Sequence, residues 1–211
     1  MRILARDLDP QQTYRLITGV VVPRPIAWVC SQSGDGVLNL APFSAFTFVS
    51  NKPPMLGINV GRKAGQRKDT GNNIHATGEY VVHIGDATLV EAIHDSAVEH
   101  PPQVSEVALL DLETVASEQI AVPRLVAPPI AMECRLRHAC AFGDTGSEFL
   151  VGEVLVFHVR DGLLRDGKID SVELDPICRL AGPTYATLGR TITLRAIAQT
   201  AKTVMPDSHG T

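Results

Sequence analysis

Two neighbouring segments decide the fold class of this chain: AMECRLRHACAF (residues 131–142) and EFLVGEVLVFHVRDG (residues 148–162). In the first, apolar and charged side chains alternate, which predicts a strand with one face in water. The alternating set has Met132, Cys134, Leu136, Cys140 and Phe142 on the apolar side and Glu133, Arg135 and Arg137 on the wet side. The second is apolar on both faces from Phe149 to Val159 and predicts a central, covered strand. Residues 143–147 are turn-like, so the two strands should form an antiparallel hairpin.

Shorter strand-like segments precede this hairpin, and the helices between them are few. Strands are predicted at 26–31, at 41–50 as one continuous strand, at 55–60 and at 79–84. Short helices are predicted at 10–19, 69–77 and 86–95, and prolines interrupt residues 96–126, which we interpret as an excursion packed on the sheet. The fold class is therefore mainly β, and an antiparallel barrel closes this many strands without exposed edges. We expect one domain over residues 1–198, followed by a mobile C-terminal tail over 199–211.

Composition excludes several classes of protein. The chain has 211 residues, of which 45% are hydrophobic and 20% charged, and a formal net charge of −4. This charge gives no general attraction to nucleic acid or to an anionic membrane. The charged N-terminus and the lack of any stretch of 18 apolar residues predict a cytoplasmic protein.

The cysteines and histidines show no metal-binding spacing. Cys30, Cys134, Cys140 and Cys178 form no C-x-x-C pair, so we expect buried free thiols. The seven histidines form no H-x-x-x-H or Cys/His pattern. No metal site is predicted.

A basic stretch is the first candidate functional feature. Arg62, Lys63, Arg67 and Lys68 lie within seven residues and immediately precede the predicted helix at 69–77. Unpaired N–H groups at a helix N-terminus, together with nearby cations, favour an anion. This interpretation makes Lys68 and Thr70 phosphate contacts. Alternatively, the stretch is a solvated loop in which Asp69 or Thr70 only caps the helix.

The segment NLAPFSAFTFVS (residues 39–50) is the second candidate. On one strand, Ser44, Phe46, Phe48 and Ser50 would share a face. An apolar wall with a few polar groups suits a planar aromatic cofactor. The alternative is that the phenylalanines belong to the core and Ser44 bonds to backbone.

His158 is the third candidate, at the end of the covered strand. It is predicted to share a face with Val154 and Val156. A lone histidine on an apolar face is usually a core residue with its hydrogen bonds satisfied, so a catalytic role stands beside that simpler alternative.

Several segments, taken in order, resemble the flavin reductase-like, FMN-binding split-barrel family of the flavoredoxin type. The segments that carry the resemblance are PRPIAWV (23–29), NLAPFSAF (39–46), PPML (53–56), RKDTGNNI with GEYVV (67–82), GEVLVFHV followed by DG (152–162) and RLAGPTY (179–185). The resemblance implies an antiparallel split β-barrel with a few short helices, and a homodimer that binds one FMN per subunit near the interface.

The resemblance also implies a set of site residues. The flavin ring and ribityl chain would lie against Asn39, Ala41, Pro42, Phe43, Ser44 and Phe46, with Arg24 bordering the same pocket. The phosphate would be bound by Lys68, Asp69, Thr70 and Asn73. His158, as the catalytic candidate, and Tyr185 match positions near the flavin.

Three functions follow as hypotheses. The first is an NAD(P)H-dependent flavin reductase that passes a hydride from NADH or NADPH to flavin N5 and supplies a monooxygenase or another acceptor. The second is a non-enzymatic FMN-binding electron carrier or flavin-storage protein. The third is a structural barrel whose basic loop has no ligand.

Overall fold

The computed structural model describes residues 1–203 and consists mainly of strands with a few short helices. The helices are α1 (Pro10–Val20), α2 (Asp69–Thr77), α3 (Val90–Asp95), α4 (Glu106–Leu109) and α5 (Ser171–Leu174). The strands are β1 (Arg24–Pro25), β2 (Ala27–Gln32), β3 (Leu38–Phe43), β4 (Phe46–Asn51), β5 (Pro54–Val60), β6 (Arg62–Lys63), β7 (Gln66–Arg67), β8 (Glu79–Ile84), β9 (Thr114–Val115), β10 (Arg124–Leu125), β11 (Ile130–Phe142), β12 (Ser147–Val159), β13 (Leu164–Arg165), β14 (Lys168–Ile169), β15 (Cys178–Arg179) and β16 (Tyr185–Ala186). Single 3-10 turns lie at Ala5–Asp7 and Ala87–Leu89.

The main sheet contains seven antiparallel strands in the order β3-β2-β8-β11-β12-β5-β4. Its two edge strands, β3 and β4, are consecutive in the chain and only Ser44 and Ala45 join them. The sheet must therefore curl until its edges approach, which makes a barrel. The predicted hairpin is confirmed, because Ile130 of β11 pairs with Val159 of β12 and Phe142 pairs with Ser147.

Strand β2 is buried on both faces and separates two apolar clusters. Ala27 and Val29 point into the barrel, where they meet Val82, Leu150 and other side chains of the facing strands. Trp28 and Cys30 point outward into a second cluster. This alternation follows from the two-residue period of a strand.

Residues 96–126 cover the outer face of the sheet. Val107, Val122 and Leu125 of this excursion are buried in the outer cluster. Polar anchors hold it as well: the Trp28 indole N–H donates to Ser96 Oγ at 2.8 Å, and the Leu125 N–H donates to His83 Nε2 at 2.9 Å. The predicted helix at 86–95 is a 3-10 turn followed by α3.

The prediction of one continuous strand over 41–50 is wrong. The chain bends at Ser44 and Ala45, which separates β3 from β4. Phe46 packs on the barrel core, but Phe48 is 80% exposed. Alternating apolar residues continue through a bend, so periodicity alone did not reveal it.

The predicted faces of the long hairpin also need correction. Glu133 was expected in water and is fully buried, because the covering excursion makes both faces of the first part of β11 interior. Beyond Leu136 the hairpin extends past its cover, so Phe142 and Cys140 are exposed. Cys140 is thus a free thiol but not a buried one. The later part of β12 is only half covered, and Phe157 is 56% exposed.

The ends of the chain add two smaller observations. Helix α1 begins as predicted, with Asp9 as its N-cap and Pro10 in its first turn, and it continues to Val20. Of the predicted tail, residues 199–203 have no regular secondary structure, and 204–211 lie outside the described residues.

Candidate functional site

A cavity of about 630 Å³ lies between strand β3, the start of helix α2 and the beginning of the excursion. We call it the main cavity. One wall is Asn39 and Ala41–Phe43, a second is the β6–β7 hairpin with Lys68–Thr70, and the third is Ser96–Pro102 with Glu106. Its volume lies in the range of about 300–1,000 Å³ found for small-molecule and cofactor sites.

The N-terminus of α2 opens onto the main cavity without a side-chain cap. Lys68 is the N-cap residue, and its ammonium cannot accept a hydrogen bond from the helix. The first intrahelical hydrogen bond runs from Asn72 N–H to Lys68 O at 3.0 Å. The preceding amides, those of Asp69–Gly71, therefore have no acceptor within the helix, which suits a bound anion.

The cations around this helix start are not equivalent. Arg67 donates from both Nε and Nη2 to the Glu148 carboxylate, each at 2.9 Å. This hydrogen bond is the main reason that the pKa of Glu148 falls to about 2; Arg62 and His75 contribute as well. Lys63 lies 3.3 Å from Glu99. Lys68 forms no ion pair within residues 1–203, so its charge is available to a ligand.

Strand β3 supplies the apolar wall and connects it to the helix start. Ala41, Pro42 and Phe43 line the main cavity, and the Asn39 side-chain amide donates to Thr70 Oγ1 at 2.8 Å. Seven of the residues that the family resemblance places at the flavin line this one cavity: Asn39, Ala41, Pro42, Phe43, Lys68, Asp69 and Thr70.

Glu106 lines the same cavity and was missed by the sequence analysis. Its Oε2 accepts the N–H of Leu40 at 2.9 Å, and the residue is only 7% exposed. No other hydrogen bond to this carboxylate is present in the part of the chain that the structure describes. The residue lies in the proline-interrupted excursion, where no periodicity marked it as interior.

A smaller pocket of about 320 Å³ adjoins the main cavity, and Pro42 and Ala97 line both. It contains Arg24 and Ser44, two residues that the sequence assigned to the cofactor site, together with Arg179. Arg24 is 9% exposed and donates from Nε to Ser44 Oγ at 3.2 Å. We call it the two-arginine pocket.

Three other predicted site residues line neither space. Phe46 packs on the barrel core, and Asn73 is buried with its amide donating to Ser31 Oγ at 3.2 Å. Tyr185 lies beside Arg179, whose guanidinium is 4.6 Å from its ring centroid, and the tyrosine hydroxyl is 3.1 Å from His94 Nδ1.

His158 also lies away from the main cavity. Its Nε2 is 2.7 Å from Oε1 of the buried Glu133, whose two oxygens also accept the N–H groups of Glu118 and Gln119, each at 2.7 Å. Burial acts to raise the pKa of Glu133, but these hydrogen bonds outweigh it and lower the pKa below its usual value. In this arrangement His158 and Glu133 anchor the excursion to the hairpin.

Residues 20–173 match the family model for the flavin reductase like domain. The curled antiparallel sheet with a cavity at its edge defines a protein of this class, and the chain belongs to the flavin reductase-like family.

Solved structures agree with this assignment. Nitrilotriacetate monooxygenase component B from Bacillus cereus is 41% identical, with a TM-score of 0.89 over 92% of this chain and 98% of that one. The 2-nitrobenzoate 2-nitroreductase NbaA from Pseudomonas fluorescens is 31% identical, with a TM-score of 0.85 over 93% and 96%. A flavin reductase-type protein with a split barrel domain from Shewanella frigidimarina is 19% identical, with a TM-score of 0.81 over 93% and 100%. This last likeness confirms the predicted split-barrel fold.

Two further observations bear on the kinds of site present. Within residues 1–203, no helix is long and apolar enough to cross a membrane. Across the same residues, no three histidine, cysteine or acidic side chains are grouped so that they could hold a metal ion.

Proposed function

We propose that this chain is an FMN-binding NAD(P)H:flavin oxidoreductase. The observation that carries the proposal is the continuity of the main cavity, which runs from the uncapped start of α2 beside Lys68 to the apolar surface of Ala41–Phe43. One end suits a phosphate and the other suits a planar ring, and these are the two ends of FMN. Membership of the flavin reductase-like family supports the same conclusion.

The phosphate end combines a full charge with fixed dipoles. The amides of Asp69–Gly71 would donate to the phosphate oxygens, and the Lys68 ammonium would add a charge-assisted hydrogen bond. The Asn39 side-chain amide donates to the Thr70 hydroxyl, and Thr70 is only 1% exposed, so this hydroxyl is held in one place. The negative charge of Asp69 would repel the phosphate, but the same charge is stabilised by the positive end of the helix dipole.

The ring end controls orientation. Pro42 and Phe43 present apolar surface against which one face of a bound ring would lie, and Ala97 lines the same cavity. The bound flavin would supply the hydride and electron chemistry. Arg24 and Ser44 border this end from the adjoining pocket, where their N–H and O–H groups would stabilise negative charge near the ring.

The electron donor would be NADH or NADPH, and the acceptor a monooxygenase or another oxidant. Within residues 1–203 the chain has no strand followed by a G-x-G-x-x-G helix start, so the nicotinamide would bind transiently on the ring. The similar protein from Bacillus cereus is component B of a nitrilotriacetate monooxygenase, which supports a monooxygenase as the acceptor.

A second copy of the chain is the proposed subunit partner. Helix α1 has no buried residue, although several of its side chains are large and apolar. Tyr14, Ile17 and Val20 are 68%, 54% and 74% exposed. Apolar side chains at this spacing form a stripe on one side of a helix, which is typical of an interface.

Two measurements test the proposed function. The purified protein is denatured with acid and any released chromophore is identified; FMN supports the proposal, and a protein that stays colourless after incubation with FMN contradicts it. Steady-state NADH and NADPH oxidation is then followed with added FMN. Turnover above the protein-free rate supports a reductase, whereas FMN binding without turnover identifies an electron carrier or storage protein.

A further inference from the structure

The two-arginine pocket concentrates positive charge in a chain that is acidic overall. It is lined by Tyr14, Thr18, Arg24, Ile26, Pro42, Ser44, Ala97, Arg179 and Gly182, and none of these is acidic. Within residues 1–203, neither Arg24 nor Arg179 forms an ion pair with a carboxylate. Two positive charges without a counter-ion are costly to hold in a half-enclosed space, and an anion would relieve that cost.

The polypeptide fixes Arg24 through backbone carbonyls. Its Nη1 donates to the carbonyls of Thr18 and Val21, and its Nη2 donates to that of Leu180 at 2.8 Å. These neutral acceptors orient the guanidinium and leave its charge uncompensated. Four of its five N–H donors are used, so one remains on Nη2.

Arg179 is positioned by different contacts and keeps more donors. Its Nε donates to Gly182 O at 2.8 Å, and its Nη1 donates to the Tyr185 hydroxyl. The guanidinium also lies over the Tyr185 ring. Three N–H donors remain, and the Ser44 hydroxyl, which already accepts from Arg24, can donate as well. The pocket thus offers several fixed donors and two charges.

We infer that the two-arginine pocket binds the anionic oxygen group of the second substrate, a carboxylate or a phosphate. The inference rests on the proposed function, because Pro42 and Ala97 place the pocket directly beside the ring end of the main cavity. A molecule held there by its charged group would have its reactive part next to the flavin. This selects anionic donors or acceptors over neutral ones of the same shape.

The test measures anion binding by calorimetry on the protein without flavin and on the protein loaded with FMN. Benzoate represents an organic carboxylate, inorganic pyrophosphate represents a dinucleotide backbone, and benzamide is the neutral match for benzoate. We expect saturable binding of benzoate or pyrophosphate, with benzamide at least about tenfold weaker than benzoate if the carboxylate is the recognised group. Tighter binding of benzoate would indicate that the second substrate carries a carboxylate, and tighter binding of pyrophosphate would indicate that it carries a phosphate.

Two variants locate the binding. Arg179→Gln should weaken the anion at least about tenfold, and Arg179→Lys should retain part of the affinity. Arg165→Gln removes a similar charge from an exposed pair with Asp170 and should leave the affinity unchanged. Equal affinity in wild type and Arg179→Gln overturns the inference, as does failure of both anions to bind. If Arg179→Gln does not fold, the comparison of charged and neutral probes on the FMN-loaded wild type, whose main cavity is filled, decides alone.

The two possible failures remain distinguishable. The absorbance of bound FMN reports on the main cavity. The start of α2 could itself bind pyrophosphate in the protein without flavin, so the two-arginine pocket is reported by the heat of anion binding to the FMN-loaded protein and by the part of that heat lost in Arg179→Gln. A protein that binds FMN but neither anion contradicts only this inference. A protein that binds an anion through Arg179 but no FMN contradicts the proposed function and leaves the anion site in place.

Discussion

At the scale of single residues, Lys68 decides how strongly the main cavity attracts an anion. Neighbouring Arg67 is engaged by Glu148 and Lys63 by Glu99, whereas the charge of Lys68 meets no carboxylate within residues 1–203. The sequence identified the basic cluster but not which of its cations are already paired, because the pairing depends on Glu148 and Glu99, which are distant in the chain.

Replacing Lys68 by alanine should therefore weaken FMN binding about 10- to 100-fold, the range expected for one hydrogen bond to a charged group. Quenching of flavin fluorescence gives the dissociation constant. Arg137→Ala is the matched control, since Arg137 pairs with Glu153 on the far hairpin. Equal dissociation constants for the two variants would rule out the phosphate assignment.

Glu106 is a second residue whose role is decided by one contact. Glu106→Ala would leave the buried Leu40 N–H without an acceptor and should lower the free energy of unfolding by about 1–3 kcal/mol. Glu106→Gln keeps an acceptor oxygen and should cost less. Urea unfolding compares the two, and equal stabilities would show that the hydrogen bond has little effect.

At the scale of elements, the two-residue bend between β3 and β4 shapes the site. Because the strand breaks at Ser44 and Ala45, Ser44 turns towards Arg24 in the adjoining pocket while Ala41–Phe43 face the main cavity. Alternation of apolar residues predicted the strands correctly but carries no information about such a bend. The burial of Glu133 was not predicted for a related reason: the excursion that covers it has no periodic pattern of apolar residues.

Polar anchors join the excursion to the barrel, and the central one is sensitive to pH. His83 is fully buried; burial is the main reason that its pKa falls to about 4. Its Nδ1 is 3.0 Å from Trp28 O and its Nε2 accepts from Leu125 N–H, so the ring is neutral with its proton on Nδ1.

Stability should consequently fall as the pH drops from about 6.5 towards 4. In that window the unfolded chain binds a proton at this histidine and the folded chain does not, so the free energy of unfolding decreases by about 2–3 kcal/mol between about pH 6.5 and about pH 4. Urea unfolding at several pH values measures the slope. His83→Gln should flatten it, whereas His138→Asn, on the exposed end of β11, should not. An unchanged slope in His83→Gln would contradict this assignment.

At the scale of the whole molecule, the antiparallel barrel followed from the long hairpin and the number of strands, and its split form was implied by the family resemblance. The main cavity did not, because its third wall is Ser96–Pro102, and no sequence pattern indicated that this segment returns to the start of α2. His158 matched a family position, but its contacts are with Glu133 and not with the main cavity.

The exposed stripe on α1 leads to a prediction about assembly. We expect a dimer in light scattering, and Ile17→Glu should shift it towards monomer because a buried charge without a partner is unfavourable. Gln11→Glu adds the same charge to an exposed polar position and should leave the dimer intact. A wild-type monomer, or an unaffected Ile17→Glu dimer, would exclude α1 as the interface.

A crystal structure of the protein grown at saturating FMN would show whether the main cavity holds the flavin. We expect the phosphate within hydrogen-bonding distance of the Asp69 and Thr70 amides and of Lys68 Nζ, with the ring against Ala41–Phe43. Flavin bound elsewhere, or a main cavity without flavin under those conditions, would contradict this expectation.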